Sequence, residues 1–443
     1  MKLPALGDWK VFQSCLGCVP KQRFWSRRDV FRMAAGGMAA MLADASFPAR
    51  AGVQGLRLRR GLNIHHLLNW PEAVHRGGEQ TYLWPPFQHS RYQIADEDIL
   101  AIKDAGFDFI RLTADPALLI GSDDARWPLL DAHIVGLIER FFSADLRVVF
   151  DLHPISLNPS YAPAALAAQP PGAAFASYGH MVERVARMLD RLPHDKIAFE
   201  LMNEPILQDA TGVSAWQGMM EQLHRRARHG SEAMPLVLTG AAWSSLQGLI
   251  RLDPAPFKNS NVFYTFHYYN PHPFTHQGVP VEVERYVSDL GWPADPAAQG
   301  ATWERSLAKL NADPGLSPAE RQRWAEVTRK VMADYFGTAH DSASIGADFE
   351  TVARWADGHG IERERILLGE FGAVRAPPGS KAAVDRLRWL DAVRTAAEHS
   401  AFPWALWAYK GGGGMALVLD HTHADMEPEV LGRLGLAVPT RTP

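Results

Sequence analysis

The chain has 443 residues, of which 47% are hydrophobic and 21% charged, the balance of a globular protein able to bury a large core. This composition excludes a collagen, a coiled coil and a disordered chain. The formal net charge is −4 and no stripe of lysine and arginine recurs along a helix, so we expect no nucleic acid partner.

The first 51 residues are typical of an export signal. Arg27-Arg28 precedes an apolar run, Met33–Ala43, that is far shorter than the ~20 residues needed to span a bilayer. Two small-x-small patterns typical of cleavage sites follow, at 43–45 and 49–51. The paired arginines resemble the twin-arginine type of signal. We therefore predict a signal segment over these residues, the twin-arginine export machinery as a partner, and a periplasmic or secreted mature protein without a membrane span.

The two cysteines, Cys15 and Cys18, both lie in this predicted signal segment, so no disulfide framework holds the fold. A single Cys-x-x-Cys pair is weak evidence for zinc, and we interpret the two as incidental thiols.

From residue 55 onward, short apolar runs rich in β-branched and aromatic residues alternate with segments of helical period, the pattern of repeated βα units. Because no Gly-x-Gly-x-x-Gly follows the first run, an open doubly wound sheet is disfavoured. We predict an α/β fold, a (β/α)₈ TIM barrel in a single catalytic domain over 52–443. Its eight predicted strands are Leu56–Asn63, Phe109–Thr113, Arg147–His153, Ile197–Asn203, Leu236–Gly240, Val262–His267, Ile366–Glu370 and Phe402–Trp407.

Predicted strands six and seven are about a hundred residues apart, too far for one simple βα unit. We predict an insertion at about 281–360, with polar helices around Ser317–Tyr335 and Ser344–Trp355. A lid and an expanded crossover are both open interpretations of it.

Polar or aromatic side chains close nearly every predicted strand, and in a (β/α)₈ barrel these strand ends converge on one mouth. An unpaired buried charge costs several kcal/mol, so the ionisable groups among them need partners. Two carboxylates, Glu204 and Glu370, suggest glycoside hydrolysis, which needs one carboxylic acid kept protonated and one kept ionised. A retaining enzyme would hold the two carboxyl groups ~5 to 5.5 Å apart.

These strand ends resemble glycoside hydrolase family five, the cellulase family, over roughly residues 55–425. The motifs that carry the resemblance follow the family's chain order: Arg60-Gly-Leu-Asn63, Ile110-Arg111-Leu112, Asp151-Leu-His153, Asn203-Glu204-Pro205, His267-Tyr-Tyr269, Gly369-Glu370-Phe-Gly372 and Trp404-Ala-Leu-Trp407.

The resemblance implies that Glu370 is the nucleophile and Glu204 the acid/base. Arg111 and Tyr269 would donate hydrogen bonds that keep Glu370 ionised. The other expected substrate-binding residues would contact sugar hydroxyls, the catalytic pair or a sugar face. These residues are Asn203, His153, His267, Trp407, Asn63 and His66. Trp70, Trp84, Trp243 and Trp292 are either outer sugar platforms or core, and Trp70 and Trp243 are the better candidates for platforms.

We expect an exported retaining β-glycosidase, most specifically an endo-β-1,4-glucanase acting on β-glucan or a related polysaccharide, without metal or organic cofactor. An exo-β-1,3-glucanase, a β-mannanase and a non-catalytic glycan-binding barrel stay open as alternatives. A metal-dependent barrel hydrolase is disfavoured, since Leu67 stands where a His-x-His motif needs its second histidine. Asp420-His-Thr-His423 is better interpreted as a solvated loop than as a metal site.

Overall fold

The computed structural model describes residues 55–76, 79–155, 158–258, 260–411, 414–418 and 425–439. The predicted signal segment with Arg27 and Arg28, the two cysteines and the Asp420–His423 motif lie outside these residues. Among the described helices, none is both long and apolar enough to cross a membrane.

Eight parallel strands form a closed barrel, which confirms the predicted (β/α)₈ fold, and two further strands, β2 and β3, form a separate antiparallel hairpin. Each barrel strand pairs with the next one in the chain, and the last pairs with the first. The strands are β1 (Arg60–Leu68), β2 (Ala73–Arg76), β3 (Glu79–Tyr82), β4 (Phe109–Ala114), β5 (Arg147–Leu152), β6 (Ile197–Glu200), β7 (Leu236–Thr239), β8 (Val262–Tyr268), β9 (Ile366–Phe371) and β10 (Trp404–Leu406).

Helices surround the barrel and cover the outer faces of the strands. In the described residues, the α-helices are α1 (Asp96–Ala105), α2 (Pro116–Ile120), α3 (Trp127–Ser143), α4 (Pro163–Leu166), α5 (Ala173–Leu189), α6 (Ala210–Gly230), α7 (Leu246–Leu249), α8 (His272–Thr275), α9 (Gln299–Asn311), α10 (Pro318–Phe336), α11 (Ser342–His359), α12 (Lys381–His399) and α13 (Pro428–Arg433). Short 3₁₀ turns occur at Ser90–Tyr92, Ala255–Phe257, Pro296–Ala298 and Arg363–Arg365, and Ala241–Ser244 forms a further single turn.

The first strand differs from its prediction, because it begins at Arg60 and continues to Leu68. Leu56 and Leu58 are apolar for another reason: they close the end of the barrel where the strands begin, packing in one cluster with Phe109, Val149, Ala198, Val237, Phe263, Leu367 and Ala405. Gly61 is required at this end, since a Cβ there would lie 2.2 Å from the Phe109 ring.

The segment between β8 and β9 contains four helices, α8 to α11, and its last helix belongs to the barrel itself. Phe349 of α11 packs edge-on against Phe266 and Tyr268 of β8, with ring centroids 5.5 and 5.2 Å apart. The predicted insertion therefore extends too far, because the extra structure ends before Ser342. That extra structure has a small core of its own, around Tyr286, Leu310 and Trp324.

Candidate active site

A layer of polar side chains stands directly above the apolar layer that closes the barrel. Arg111 follows Phe109 by two residues, and in the same way Asp151 and Glu200 follow apolar residues of β5 and β6. Side chains two residues apart share one face of a strand, so these polar groups point into the barrel. The alternation along each strand thus places ionisable groups at one level, toward the mouth.

Arg111 lies at the centre of this layer and is fully buried. Its Nε and Nη2 donate to both oxygens of Glu200 at 2.8 Å, and its Nη1 donates to Glu370 Oε1 at 2.7 Å. Asn63 and Asn203 each accept from it at 2.9 Å, and Asp151 Oδ2 lies 3.0 Å from Nη2. Three carboxyl groups therefore surround one guanidinium, and together they raise the pKa of Arg111 although burial alone would lower it.

Glu204 and Glu370 face each other across the mouth. One oxygen of each and a ring nitrogen of His267 all lie within 4.8 Å of one another. His267 Nδ1 is 2.8 Å from Glu204 Oε1 and 3.6 Å from Glu370 Oε2, while the Tyr269 hydroxyl donates to Glu370 Oε2 at 2.8 Å. The Glu370 side chain is 4% exposed and that of Glu204 is 30% exposed, so Glu204 is the carboxyl that a molecule in the mouth reaches more easily.

Burial raises the pKa of both carboxyl groups, to about 7 in each case. Their hydrogen bonds differ, because only Glu370 accepts from a guanidinium and a phenol, both of which stabilise its ionised form. Glu370 therefore has more donors that stabilise its ionised form than Glu204 has. Burial also lowers the pKa of His267 to about 4, which makes it a neutral neighbour of both.

A chain of hydrogen bonds fixes the amide of Asn203. His153 Nδ1 lies 2.8 Å from Asp151 Oδ2, and its Nε2 lies 3.3 Å from Asn203 Nδ2. With Asn203 Oδ1 accepting from Arg111, the amide nitrogen is oriented toward His153. Burial keeps the pKa of His153 well below its usual range, so its Nε2 accepts as a neutral imidazole.

Trp407 forms an aromatic wall beside these groups. Its ring stacks on His153 with a centroid distance of 5.6 Å and lies 4.9 Å from the ring of His65. The Trp407–Ala408 peptide bond is cis. Trp70 packs edge-on against His65 at 4.4 Å and is 43% exposed.

The prediction for His66 is wrong in its geometry, because β1 continues past Asn63 and successive side chains on a strand point to opposite sides. His65 faces the mouth, whereas the ring of His66 lies 6.1 Å from Tyr409 with both ring nitrogens shielded from solvent. Asn63 lies mid-strand and is fully buried, and its amide donates to the Gly369 carbonyl at 2.9 Å. It supports Arg111 and β9 and is closed off from a ligand in the mouth.

The structure brings together Glu204, Glu370, Arg111, Asn203, His153, His267, Tyr269 and Trp407, all of which were selected from the sequence. It adds Glu200 and His65, which were not, and it gives a role to Asp151, which was named only as part of the Asp151-Leu-His153 motif. Glu200 carries a signal of its own, a lone charge between apolar residues of a buried strand. Of the tryptophans, Trp292 is core at 2% exposed, Trp84 is half-buried, and Trp243 is 43% exposed like Trp70.

Glu204, His267 and Glu370 could each offer one ligand atom to a metal ion. However, the Arg111 guanidinium contacts Glu370 directly, and its fixed positive charge opposes a cation at that position. The expectation that no metal takes part stays a prediction.

Comparison with known proteins gives a consistent result. Residues 74–413 match the family model described as cellulase (glycosyl hydrolase family 5). Endoglucanase 3 of Fibrobacter succinogenes is 24% identical over 344 residues, which cover 72% of this chain and 46% of that protein. Endoglucanase C of Acetivibrio thermocellus is 28% identical over 195 residues, covering 43% and 54%. The chain thus spans about half the length of these curated relatives.

Solved structures share the fold. The cellulose synthase subunit Z of Clostridioides difficile superposes with a TM-score of 0.59 at 21% identity, covering 85% of this chain and 99% of that one. Endoglucanase Cel5A of Thermotoga maritima superposes with a TM-score of 0.58 at 21% identity, covering 85% and 96%.

Proposed function

Because the chain belongs to the cellulase family, glycosyl hydrolase family 5, we propose that it hydrolyses β-glycosidic bonds with retention of configuration and that its substrate is a β-1,4-glucan cleaved at internal positions. The observation that carries this proposal is the opposed pair Glu204 and Glu370, with oxygens within 4.8 Å and with unequal hydrogen-bond donors. A retaining pair stands ~5 to 5.5 Å apart, whereas an inverting pair needs ~6.5 to 9.5 Å to leave room for a water.

In the first step an oxygen of Glu370 bonds to the anomeric carbon as the bond to the leaving glycan oxygen breaks. Glu204 gives its proton to that oxygen. Arg111 and Tyr269 hold the attacking carboxylate ionised and oriented through the bonds described above. Asn203, whose amide is fixed from two sides, is placed to bind the sugar 2-hydroxyl.

In the second step water replaces the leaving glycan. Glu370 is now a neutral ester, so the pKa of Glu204 falls and Glu204 accepts a proton from the water. The water oxygen bonds to the anomeric carbon, the ester bond breaks, and Glu370 leaves as a carboxylate. Two inversions at one carbon give the β-anomer as product.

The choice of glucan rests on two supports. Four of the curated relatives are endoglucanases and one is a cellodextrinase. The exposed rings of Trp70 and Trp243 offer apolar faces on which successive pyranose rings could stack. Trp70 follows β1 and Trp243 follows β7, two strands on opposite sides of the barrel. This placement supports a chain that continues in both directions, as internal cleavage requires.

The experiment is product analysis on β-1,4-glucan, mixed-linkage glucan, β-1,3-glucan and mannan, with Glu370→Gln as the matched inactive control. We expect mixed oligosaccharides from β-1,4-glucan, unchanged by a chelator and missing in the control. Release of glucose alone from polymer ends would contradict internal cleavage, and products from mannan alone would contradict the glucan. Binding without products in the wild type would favour the glycan-binding alternative.

We also propose that residues 1–51 direct export through the twin-arginine machinery, on the strength of Arg27-Arg28, the apolar run and the small-x-small sites. The test is fractionation of cells that produce the full chain and an Arg27→Lys, Arg28→Lys variant. The wild type should leave the cytoplasm and the variant should stay in it, and equal distributions would contradict the proposal.

A further inference from the structure

The turn that follows β7 has a rare backbone conformation. Ala242, Trp243 and Ser244 have φ angles of 54°, 55° and 53°, so three successive residues lie in the left-handed region. That region is disfavoured for any residue with a Cβ, and glycine or asparagine usually occupies it. A backbone this unfavourable persists only where its surroundings hold it, and such sites are often functional.

Two glycines, Gly240 and Gly248, allow the backbone on either side of the turn to pack closely. A Cβ on Gly240 would lie 2.2 Å from the carbonyl carbon of Gly248, and a Cβ on Gly248 would lie 1.8 Å from the Ala241 oxygen. The two backbone segments are therefore in direct contact. Ser245 then caps the start of α7, with its Oγ accepting from the Gly248 N–H at 3.2 Å.

The other side of the turn contacts the backbone that carries Glu204. The Glu204 N–H donates to Ser244 Oγ at 3.1 Å, and the Trp243 N–H donates to the Pro205 carbonyl at 2.9 Å. Thr239 Oγ1 lies 2.7 Å from Ser244 Oγ and fixes its position. Glu204 itself has a φ of 42°, so the hydrogen bond from its N–H holds a conformation that the residue would otherwise avoid.

The residue that follows the turn is also linked to the side-chain carboxyl group of Glu204. Ser245 pairs with His267 as an isolated parallel bridge, and His267 Nδ1 lies 2.8 Å from Glu204 Oε1. One short segment thus supports Glu204 at its backbone, through Ser244, and at its carboxyl group, through His267.

We propose that Ser244 is a positioning residue for the acid/base carboxyl of Glu204, an inference that rests on the proposed function. Ser244 is fully buried and cannot touch the substrate. Without its Oγ, the Glu204 N–H loses the bond that holds the left-handed backbone, and the carboxyl group moves away from the leaving oxygen. Proton transfer needs the two oxygens within ~2.6 to 3.2 Å, so a small displacement suffices to slow it.

The test compares two aryl β-cellobiosides, one with a dinitrophenolate leaving group that needs no proton and one with phenolate, which needs it. In Ser244→Ala we expect kcat/KM to fall about tenfold or more for the phenyl substrate and less than about twofold for the dinitrophenyl substrate. Ser306→Ala is the matched control, because Ser306 is equally buried and its Oγ also accepts a backbone N–H, that of Ser288, at 3.1 Å. The control should leave the ratio of the two rates unchanged.

A purely structural role for Ser244 would lower both rates equally, and that result would overturn the proposal. Ser244→Gly, which accepts the left-handed φ without strain, repeats the test if the alanine variant does not fold. If neither variant folds, the turn is a folding element and the proposal fails. A wild type that releases neither aryl group would overturn the proposed function itself, and this inference with it.

Discussion

Arg111 donates to Glu370 across 2.7 Å while both oxygens of Glu200 accept from the same guanidinium at 2.8 Å. The positive charge that stabilises the proposed nucleophile is therefore shared with a second buried carboxylate. Glu200 is fully buried, and its charge is linked to Glu370 through their shared contact with Arg111.

Glu200→Gln removes that charge and keeps the shape of the side chain. Arg111 then stabilises ionised Glu370 more strongly, so the pKa of Glu370 falls and the acid limb of kcat/KM moves to lower pH. The measurement is the pH profile on a soluble cellooligosaccharide. Glu350→Gln is the control, since Glu350 pairs with Arg354 on an exposed surface. An acid limb that stays in place or moves to higher pH would contradict the expectation.

Glu204→Ala should lose activity mainly on substrates with poor leaving groups, because it removes the proton donor and leaves the nucleophile in place. We expect kcat/KM to fall by at least about a hundredfold for phenyl cellobioside and much less for dinitrophenyl cellobioside.

In the Glu204→Ala variant, added azide should enter the vacated space and give a β-glycosyl azide. In Glu370→Ala it should give the α-azide instead, because attack then comes from the opposite face of the sugar. The two anomers are distinguished by NMR.

The wild-type profile of kcat/KM should be a narrow bell near neutral pH. Burial raises the pKa of both Glu370 and Glu204 to about 7, so activity rises as Glu370 loses its proton and falls as Glu204 loses its own. On the dinitrophenyl substrate, whose leaving group needs no proton, the wild type should keep the acid limb and lose the basic limb. A profile that is flat between about pH 5 and pH 9 would exclude this assignment of the two limbs.

Asp115 should make the fold less stable as pH rises. Its Oδ1 accepts from the Ala117 N–H at the start of α2, and burial raises its pKa to about 7. Because the folded state holds this proton more tightly than the unfolded state, the free energy of unfolding falls as pH rises from about 4 to about 7. Asp115→Asn should remove up to about 4 kcal/mol of this dependence, measured by urea unfolding at pH 4 and pH 8.

The control for that measurement is Asp209→Asn, because Asp209 is an exposed residue that caps α6 in the same way, through the Gly212 N–H. Equal pH dependence in wild type and Asp115→Asn would refute the role of the buried carboxyl group.

Gly248→Ala should destabilise the fold, because its Cβ has no room beside the Ala241 carbonyl. We expect a loss of about 2 kcal/mol or more. Gly136→Ala is the matched control within α3, where a Cβ would meet nothing within 4 Å, and it should stabilise by up to about 1 kcal/mol. The measurement is the thermal unfolding of both variants and the wild type. A Gly248→Ala protein as stable as the wild type would contradict the close contact.

The sequence predicted the barrel and its mouth because both follow from local patterns. Strand and helix periods alternate along the chain, and the C-terminal ends of parallel strands must meet. Glu370 and Arg111 could therefore be selected from the sequence, as ionisable residues within or at the end of apolar strands. The contact between them, with Nη1 donating to Oε1, depends on the register of β4 and β9 around the barrel, which no local pattern contains.

Other features needed the three-dimensional arrangement. His66 was preferred although His65 faces the mouth, because the end of β1 was placed at Asn63 and the alternation after it could not be followed. Glu200 was passed over because its partner, Arg111, is 89 residues away in the sequence. The left-handed turn at Ser244 has no sequence signal of its own, since its support comes from glycines on either side of it and from the backbone of another loop.

Leu56 and Leu58 fill the end of the barrel opposite the mouth, and this has a practical consequence for handling the protein. A purification tag or carrier joined just before residue 55 would enter the barrel domain at the closed face, so the substrate could still approach the carboxyl pair from the other side. Immobilisation on a surface through such a fusion would leave the mouth turned toward the solution, which suits assays on insoluble polymer.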